Sequence, residues 1–140
     1  MEPEIILCDT SVIIDWFNGN AGVETLFKRV EEYYFFVSVI TKAEVQQGAE
    51  NKLHLRKINR ALEKFPAVEA EFKSSQIFSE LFEKYFLSHH CSIPDMLIAS
   101  IAIYYAIELF TFNEKDFKFI KGLKLFPHKI QPLKKSGWFL

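Results

Sequence analysis

Only two cysteines, Cys8 and Cys91, occur in the 140 residues, and no CxxC spacing is present. That scarcity leaves no disulfide framework and no paired-thiolate zinc motif. Cys8 lies in a strand-like apolar run and is expected to be a small core residue. Glycine is sparse too, at five residues. There is no Gly-rich phosphate loop and no GxSxG elbow, so nucleotide-triphosphate and serine-hydrolase chemistries have no support. The histidines are His54, His89, His90 and His128, without an HExxH pair. His89-His90-Cys91 are consecutive, and adjacent side chains rarely converge on one zinc ion. Long apolar runs are missing as well. The longest apolar region, Met96 to Ile107, falls short of the roughly 18 residues that span a bilayer. Glu2 and Glu4 stand where a secretory leader would be basic. The expectation is a cytoplasmic, soluble protein with no membrane association.

Apolar side chains, by contrast, are abundant. They make up 49% of the chain and include 15 Phe. That is more than one small core is expected to hide, so part of this surface should be covered by a partner. The net charge is only −1, but it is unevenly spread. From Asn113 onward there are seven Lys against Glu114 and Asp116, and between Asn51 and Lys64 five basic residues face only Glu63. Such stretches read as solvated helix faces or as contacts for a polyanion.

The length suits one compact domain, residues 1–140. Ile5 to Cys8 is a continuous apolar run, as in a strand buried on both faces. Ser11 to Phe17 and Val23 to Glu32 read as helices, separated by the stop Asn18-Gly19-Asn20. Tyr34 to Val39 reads as a strand, and Thr41 opens a helix that Gly48 weakens or ends. Lys52 to Lys64 is helical, and Phe65 to Val68 is a weaker strand. Glu71 to Leu87 is a helix with a wide apolar face, Ile77 to Phe86, which is either core or a surface for a second protein. Pro94 fits the first turn of a helix ending near Ile107. Leu109 to Phe112 is a strand, Lys115 to Ile120 a short helix, and Leu123 to Phe126 a possible edge strand. This alternation predicts an α/β fold with three layers, α/β/α, around a mainly parallel sheet of four or five strands.

Four acidic residues stand where apolar stretches give way to turns or helix starts: Asp9, Glu44, Asp95 and Asp116. One reading is capping, since Thr41-x-x-Glu44 and Ser92-x-x-Asp95 fit capping boxes and Asn113-x-x-Asp116 resembles one. The other is a shared site. In a parallel sheet ligands bind outside the carboxyl ends of the strands, and the predicted order puts all four there. Two carboxylates about 5 Å apart repel by about 3 kcal/mol at an effective dielectric of 20. Four together call for protonation or a hard cation, for which Mg²⁺ or Mn²⁺ fits best.

Four segments carry a family resemblance. They are Asp9-Thr10-Ser11-Val12-Ile13-Ile14-Asp15, Val39-Ile40-Thr41-Lys42-Ala43-Glu44-Val45 with Gly48, Ile93-Pro94-Asp95-Met96-Leu97-Ile98-Ala99, and Thr111-x-Asn113-x-x-Asp116-Phe117. In order and spacing they resemble the motifs of PIN domains, above all the VapC-like toxins of bacterial and archaeal toxin–antitoxin pairs. The likeness covers nearly the whole chain. One departure is His89-His90-Cys91, where the family often has a small or Gly-containing approach to the Pro-Asp pair. The resemblance implies a metal-dependent endoribonuclease with RNA as substrate, a cognate antitoxin that inserts a cation among the carboxylates, and a homodimer.

Metal ions acidify bound water and stabilise a leaving oxygen, which gives the carboxylates a role in such hydrolysis. Asp9, Asp95 and Asp116 are the expected ligands, with Glu44 a ligand or a base. Thr10, Ser11, Thr111 and Asn113 are candidates to hold them in place or, alternatively, only to shape turns. Asp15 lies outside the set. Lys42, Arg56, Lys57, Arg60, Lys115 and Lys118 are candidate phosphate contacts. Competing classes fare less well. A dehalogenase-type phosphatase wants a second Asp where Ser11 stands, a receiver domain wants an acidic pair after the first strand, and a silent PIN-like binding module does not need an intact carboxylate set.

Overall fold

The computed structural model describes residues 2–134. The last part of the basic C-terminal stretch, from residue 135, lies outside the described residues. Strand β1 (Glu4–Cys8) leads into α1 (Thr10–Phe17) and α2 (Ala21–Phe27), and β2 (Tyr33–Ser38) leads into α3 (Val39–Gln47) and α4 (Lys52–Leu62). A two-residue β3 (Ala67–Val68), α5 (Phe72–His89), α6 (Ile93–Tyr105), β4 (Glu108–Phe110) and a 3-10 turn (Glu114–Asp116) follow. The sheet order is β3-β2-β1-β4 and every pairing is parallel. The expected three-layer α/β/α fold with a parallel sheet is therefore the observed one.

The alternation along β1 explains the layering. Ile6 and Cys8 point into a core with Val12, Ile13, Val23, Leu26, Val45 and Ile58 from α1 to α4. Leu7 points the other way, onto Leu81 and Tyr85 of α5 and Met96, Ile98 and Ala102 of α6. Ile6, Leu7 and Cys8 are all fully buried, as an apolar run without polar alternation requires. Burial also pushes the Cys8 thiol well above its ordinary range, which fits an inert core residue.

Several boundaries differ from the sequence expectation. The second helix stops at Phe27 instead of Glu32, and turns held by Arg29 and Glu32 backbone hydrogen bonds complete the approach to β2. The third helix opens at Val39, not at Thr41, because the buried Ser38 hydroxyl accepts the Thr41 N–H and so takes the N-cap position. The segment Lys115–Ile120 forms only a 3-10 turn, followed by further turns to Leu123. The expected edge strand at Leu123–Phe126 reduces to one parallel bridge, Leu109 to Leu125. Among the described residues, no helix is long and apolar enough to cross a membrane.

The wide apolar face of α5 is half core and half surface. Leu81 and Tyr85 are buried, whereas Phe86 is 40% exposed. Phe78, Phe82 and Phe86 form a ladder at four-residue spacing, with Phe82 and Phe86 stacked at 5.3 Å.

Candidate active site

Because every strand runs the same way, the carboxyl ends of β1, β2 and β4 share one edge of the sheet. Asp9 follows β1, and Glu44 sits on the helix that follows β2. Thr111 and Asp116 follow β4. Helix α6 returns against the direction of β4, so its N-terminus, with Asp95, reaches the same edge. Strand β1 has β2 on one side and β4 on the other, and its end is the switch point where crevices form. A cavity of about 460 Å³ opens there, lined by Asp9, Glu44 and Asp95 among others. Asp116 lines a second cavity, and Asp95 belongs to both.

The four carboxylates sit at different depths. Asp9 is the floor, 3% exposed; Glu44 and Asp95 are half-buried walls, and Asp116 is an exposed rim. Asp9 occupies the N-cap position of α1 but makes no side-chain cap. Its Oδ2 accepts from the Ser11 hydroxyl at 2.9 Å and the Thr111 hydroxyl at 2.8 Å. Those hydroxyl oxygens in turn accept the N–H groups of Phe112 at 3.2 Å and Asn113 at 2.9 Å. The two relays fix Asp9 to the loop after β4, across about a hundred residues of sequence. The Thr10 hydroxyl donates to Glu44 Oε1 at 2.6 Å and lies 3.2 Å from the Thr41 hydroxyl. Asn113 contributes its backbone N–H to this network.

The capping reading is mostly overturned. Glu44 is the sixth residue of α3, too far along to cap it. Asn113 makes no side-chain cap on the turn that carries Asp116. Only the Ser92 pair survives in part, with the Ser92 hydroxyl accepting the Asp95 N–H at 3.1 Å.

The charges act as one cluster. Burial raises the Asp95 carboxyl to about 6, and Asp9, Asp116 and Glu44 push it the same way against the Ser92 hydrogen bond. Burial likewise raises Asp9, opposed by the Thr111, Ser11 and Thr10 hydrogen bonds and reinforced by Glu44. Among the described residues the salt bridges are Lys28–Glu24 and Arg29–Glu32, and neither touches the cluster. The donor set is all oxygen and, among the described residues, no salt bridge offsets its negative charge, which suits a hard divalent cation. Among the described residues, no three Asp, Glu, His or Cys side chains are drawn tightly enough to enclose a bare ion.

Asp15 takes a structural place. Its Oδ2 accepts from Asn20 Nδ2 at 3.0 Å and from the Leu133 N–H at 2.7 Å, so it anchors a C-terminal strap. Pro132 and Leu133 of that strap line the acidic cavity. Gly22 lets the strap approach α2, since a Cβ there would meet Ile130 Cγ2 at 2.9 Å. His128 ties the strap to the site. One ring nitrogen is 3.2 Å from the Thr111 carbonyl and the other accepts the Ile130 N–H. Sequence reading missed Phe112 as a site wall, because it placed that residue only as the end of the last strand, and missed Pro132 and Leu133 because an irregular segment without apolar period carries no signal.

The candidate phosphate contacts are dispersed. Lys115 lines the cavity that contains Asp95 and Asp116. Lys42 lines a separate cavity with Gln46 and Asn59, and Lys57 another with Phe17 and Glu50. Arg56, Arg60 and Lys118 are exposed. At the family's departure, His90 has φ 50° and ψ 40°, the left-handed conformation that glycine usually supplies after a helix.

Solved structures share this architecture. A chain of VapBC2 from Rickettsia felis, bound to a promoter DNA fragment, superposes with a TM-score of 0.76 at 23% identity, covering 86% of this chain and 96% of that one. A toxin–antitoxin complex from Klebsiella pneumoniae gives 0.69 at 27% identity, covering 84% and 94%. VapBC-1 from nontypeable Haemophilus influenzae gives 0.72 at 21% identity, covering 86% and 96%. No curated protein sequence matches. The PIN domain family model matches residues 6–123, a span that runs from β1 past the turn bearing Asp116 and takes in all four carboxylates, and the chain thus belongs to the PIN domain family.

Proposed function

We propose that the protein is a metal-dependent endoribonuclease and the toxin of a toxin–antitoxin pair, with 1–140 acting as a single domain. The observation that carries this reading is the gathering of Asp9, Glu44, Asp95 and Asp116 at one edge of the sheet, with no salt bridge to any of them among the described residues. Asp9, Asp95 and Asp116 would hold Mg²⁺ or Mn²⁺, directly or through water, and the ion would supply positive charge to the reacting phosphate and acidify water. Ser11 and Thr111 hold the Asp9 carboxylate in one orientation, and Thr10 does the same for Glu44. Glu44 is then placed to accept a proton from the attacking water or to complete the ligand set. RNA cleavage present with Mg²⁺ or Mn²⁺ and absent with chelator tests the reading; cleavage unaffected by chelator overturns it.

Thr111→Val keeps the side-chain shape but removes a donor to Asp9 and an acceptor for the Asn113 N–H. It should lower cleavage by about 10- to 100-fold and cost about 1–3 kcal/mol in urea denaturation.

The partners follow from the same reading. The VapBC neighbours support an antitoxin partner, and the family resemblance implies that it masks the acidic centre with a cation. A small protein encoded beside this one should co-purify with it and suppress cleavage. The exposed part of the α5 ladder supports a homodimer. Phe86→Glu, which leaves Leu81 and Tyr85 in the core, should convert a dimer to a monomer by light scattering; a monomeric wild type sinks the dimer.

A further inference from the structure

Beside the acidic centre lies a cavity of about 280 Å³, of which the cleavage chemistry above uses only the carboxylates Asp95 and Asp116. Asp95 is common to both cavities, and this second one adds Asp116, Lys115, His89 and Phe119. His89 ends α5 and is exposed, yet its ring is fixed. It stacks on Phe119 with centroids 4.1 Å apart and planes 13° from parallel. Tyr85 meets it edge-on at 5.5 Å, and Nδ1 is 2.7 Å from the Ser88 hydroxyl. An exposed side chain ordinarily keeps rotamer freedom that binding must remove. Here three neighbours have removed it already, leaving a flat aromatic surface next to the carboxylates.

We propose that this cavity is a nucleobase subsite for single-stranded RNA. It receives the base of a nucleotide flanking the scissile phosphate, stacked on the His89–Phe119 pair, while Lys115 pairs with a neighbouring phosphate. The proposal rests on the nuclease reading for the position of the scissile phosphate. A polymer that crosses the acidic centre must leave it on two sides, and the wall shared through Asp95 makes this cavity the adjoining exit. The volume admits a base but not a folded RNA element. A duplexed base already has its faces covered, so the platform selects an unpaired strand. Stacking tolerates any base, because each has a π face.

The test uses a 12-nucleotide single-stranded RNA carrying a fluorophore and quencher, with each nucleotide beside the cut replaced in turn by an abasic one. In the wild-type protein one replacement should raise KM about tenfold with kcat little changed. His89→Ala should raise KM for the intact RNA by a similar factor and erase the abasic penalty. His89→Phe, which keeps a flat ring, should restore both. Lys115→Ala should raise KM and flatten its salt dependence. An abasic penalty that persists in His89→Ala overturns the subsite while leaving the nuclease intact. A second readout does not need cleavage. With 2-aminopurine at the flanking position, RNA bound to Asp9→Asn should be quenched, and the quenching should vanish in Asp9→Asn/His89→Ala. Quenching without any wild-type cleavage would keep the subsite and reject the nuclease. No quenching, or quenching indifferent to His89, overturns the subsite.

Discussion

Asp9→Asn should lose RNA cleavage by about a thousandfold, the order reached when a charge or donor positioned for the transition state is removed, and should fold at least as stably as the wild type. Both halves follow from the same geometry. Asp9 is 3% exposed and its carboxyl is raised by burial, so the charge costs stability in the metal-free protein. The Asn carbonyl oxygen can take over Oδ2, accepting from Ser11 and Thr111 without disturbing either relay. What is lost is the anion at the floor of the cavity. Steady-state cleavage with Mn²⁺ and thermal unfolding without it check the two halves. A variant that unfolds early would mean that Asp9 is a structural group, and one that cleaves normally would remove Asp9 from the chemistry.

How far the site can be read from the sequence depends on which element carries each residue. Asp9 is legible because Ile6-Leu7-Cys8 is an unbroken apolar run, which fixes both the strand and the place where it ends. Asp95 is legible through Pro94 and Ser92, which mark a helix start. Glu44 is harder, since Thr41 looks like the cap in sequence, whereas in the structure the buried Ser38 hydroxyl takes that position and leaves Glu44 in the interior of α3. The Phe-rich helix α5 shows one wide face by spacing, whereas packing divides it between Leu81 and Tyr85 in the core and Phe86 at the surface. The strap of residues 127–133 escapes sequence reading altogether. Its anchors, Asp15 and Asn20, lie more than a hundred residues away and resemble an ordinary helix end. The basic residues of α4 show the converse case. A charge run is conspicuous, yet Arg56 and Arg60 lie on a solvated face, while Lys115 reaches the acidic edge because the turn after β4 carries it there.

Saturating Mn²⁺ should raise the melting temperature by about 10 °C at pH 7, and the increment should shrink as pH falls to 5. Ligand at about a hundred times its dissociation constant contributes about 2.7 kcal/mol, and each kcal/mol is worth several degrees in a domain of this size. The pH dependence has a fixed sign. The Asp95 carboxyl is raised in the folded protein to about 6, above its unfolded value. Between about pH 4 and 6 the folded state therefore binds more protons than the unfolded chain. In chelator, the stability from a neutral Asp95 is fully present below that window and is lost as pH rises through 6. Metal acts in the opposite direction, because it needs the carboxylate and competes with the proton. Two melting curves against pH, with chelator and with Mn²⁺, should diverge above about pH 6 and converge below about pH 5. Asp95→Asn should flatten the chelator curve across that window and abolish most of the Mn²⁺ increment. Curves that run parallel at all pH values would show that Asp95 neither titrates in this range nor meets the cation, and would leave the acidic edge without its central ligand.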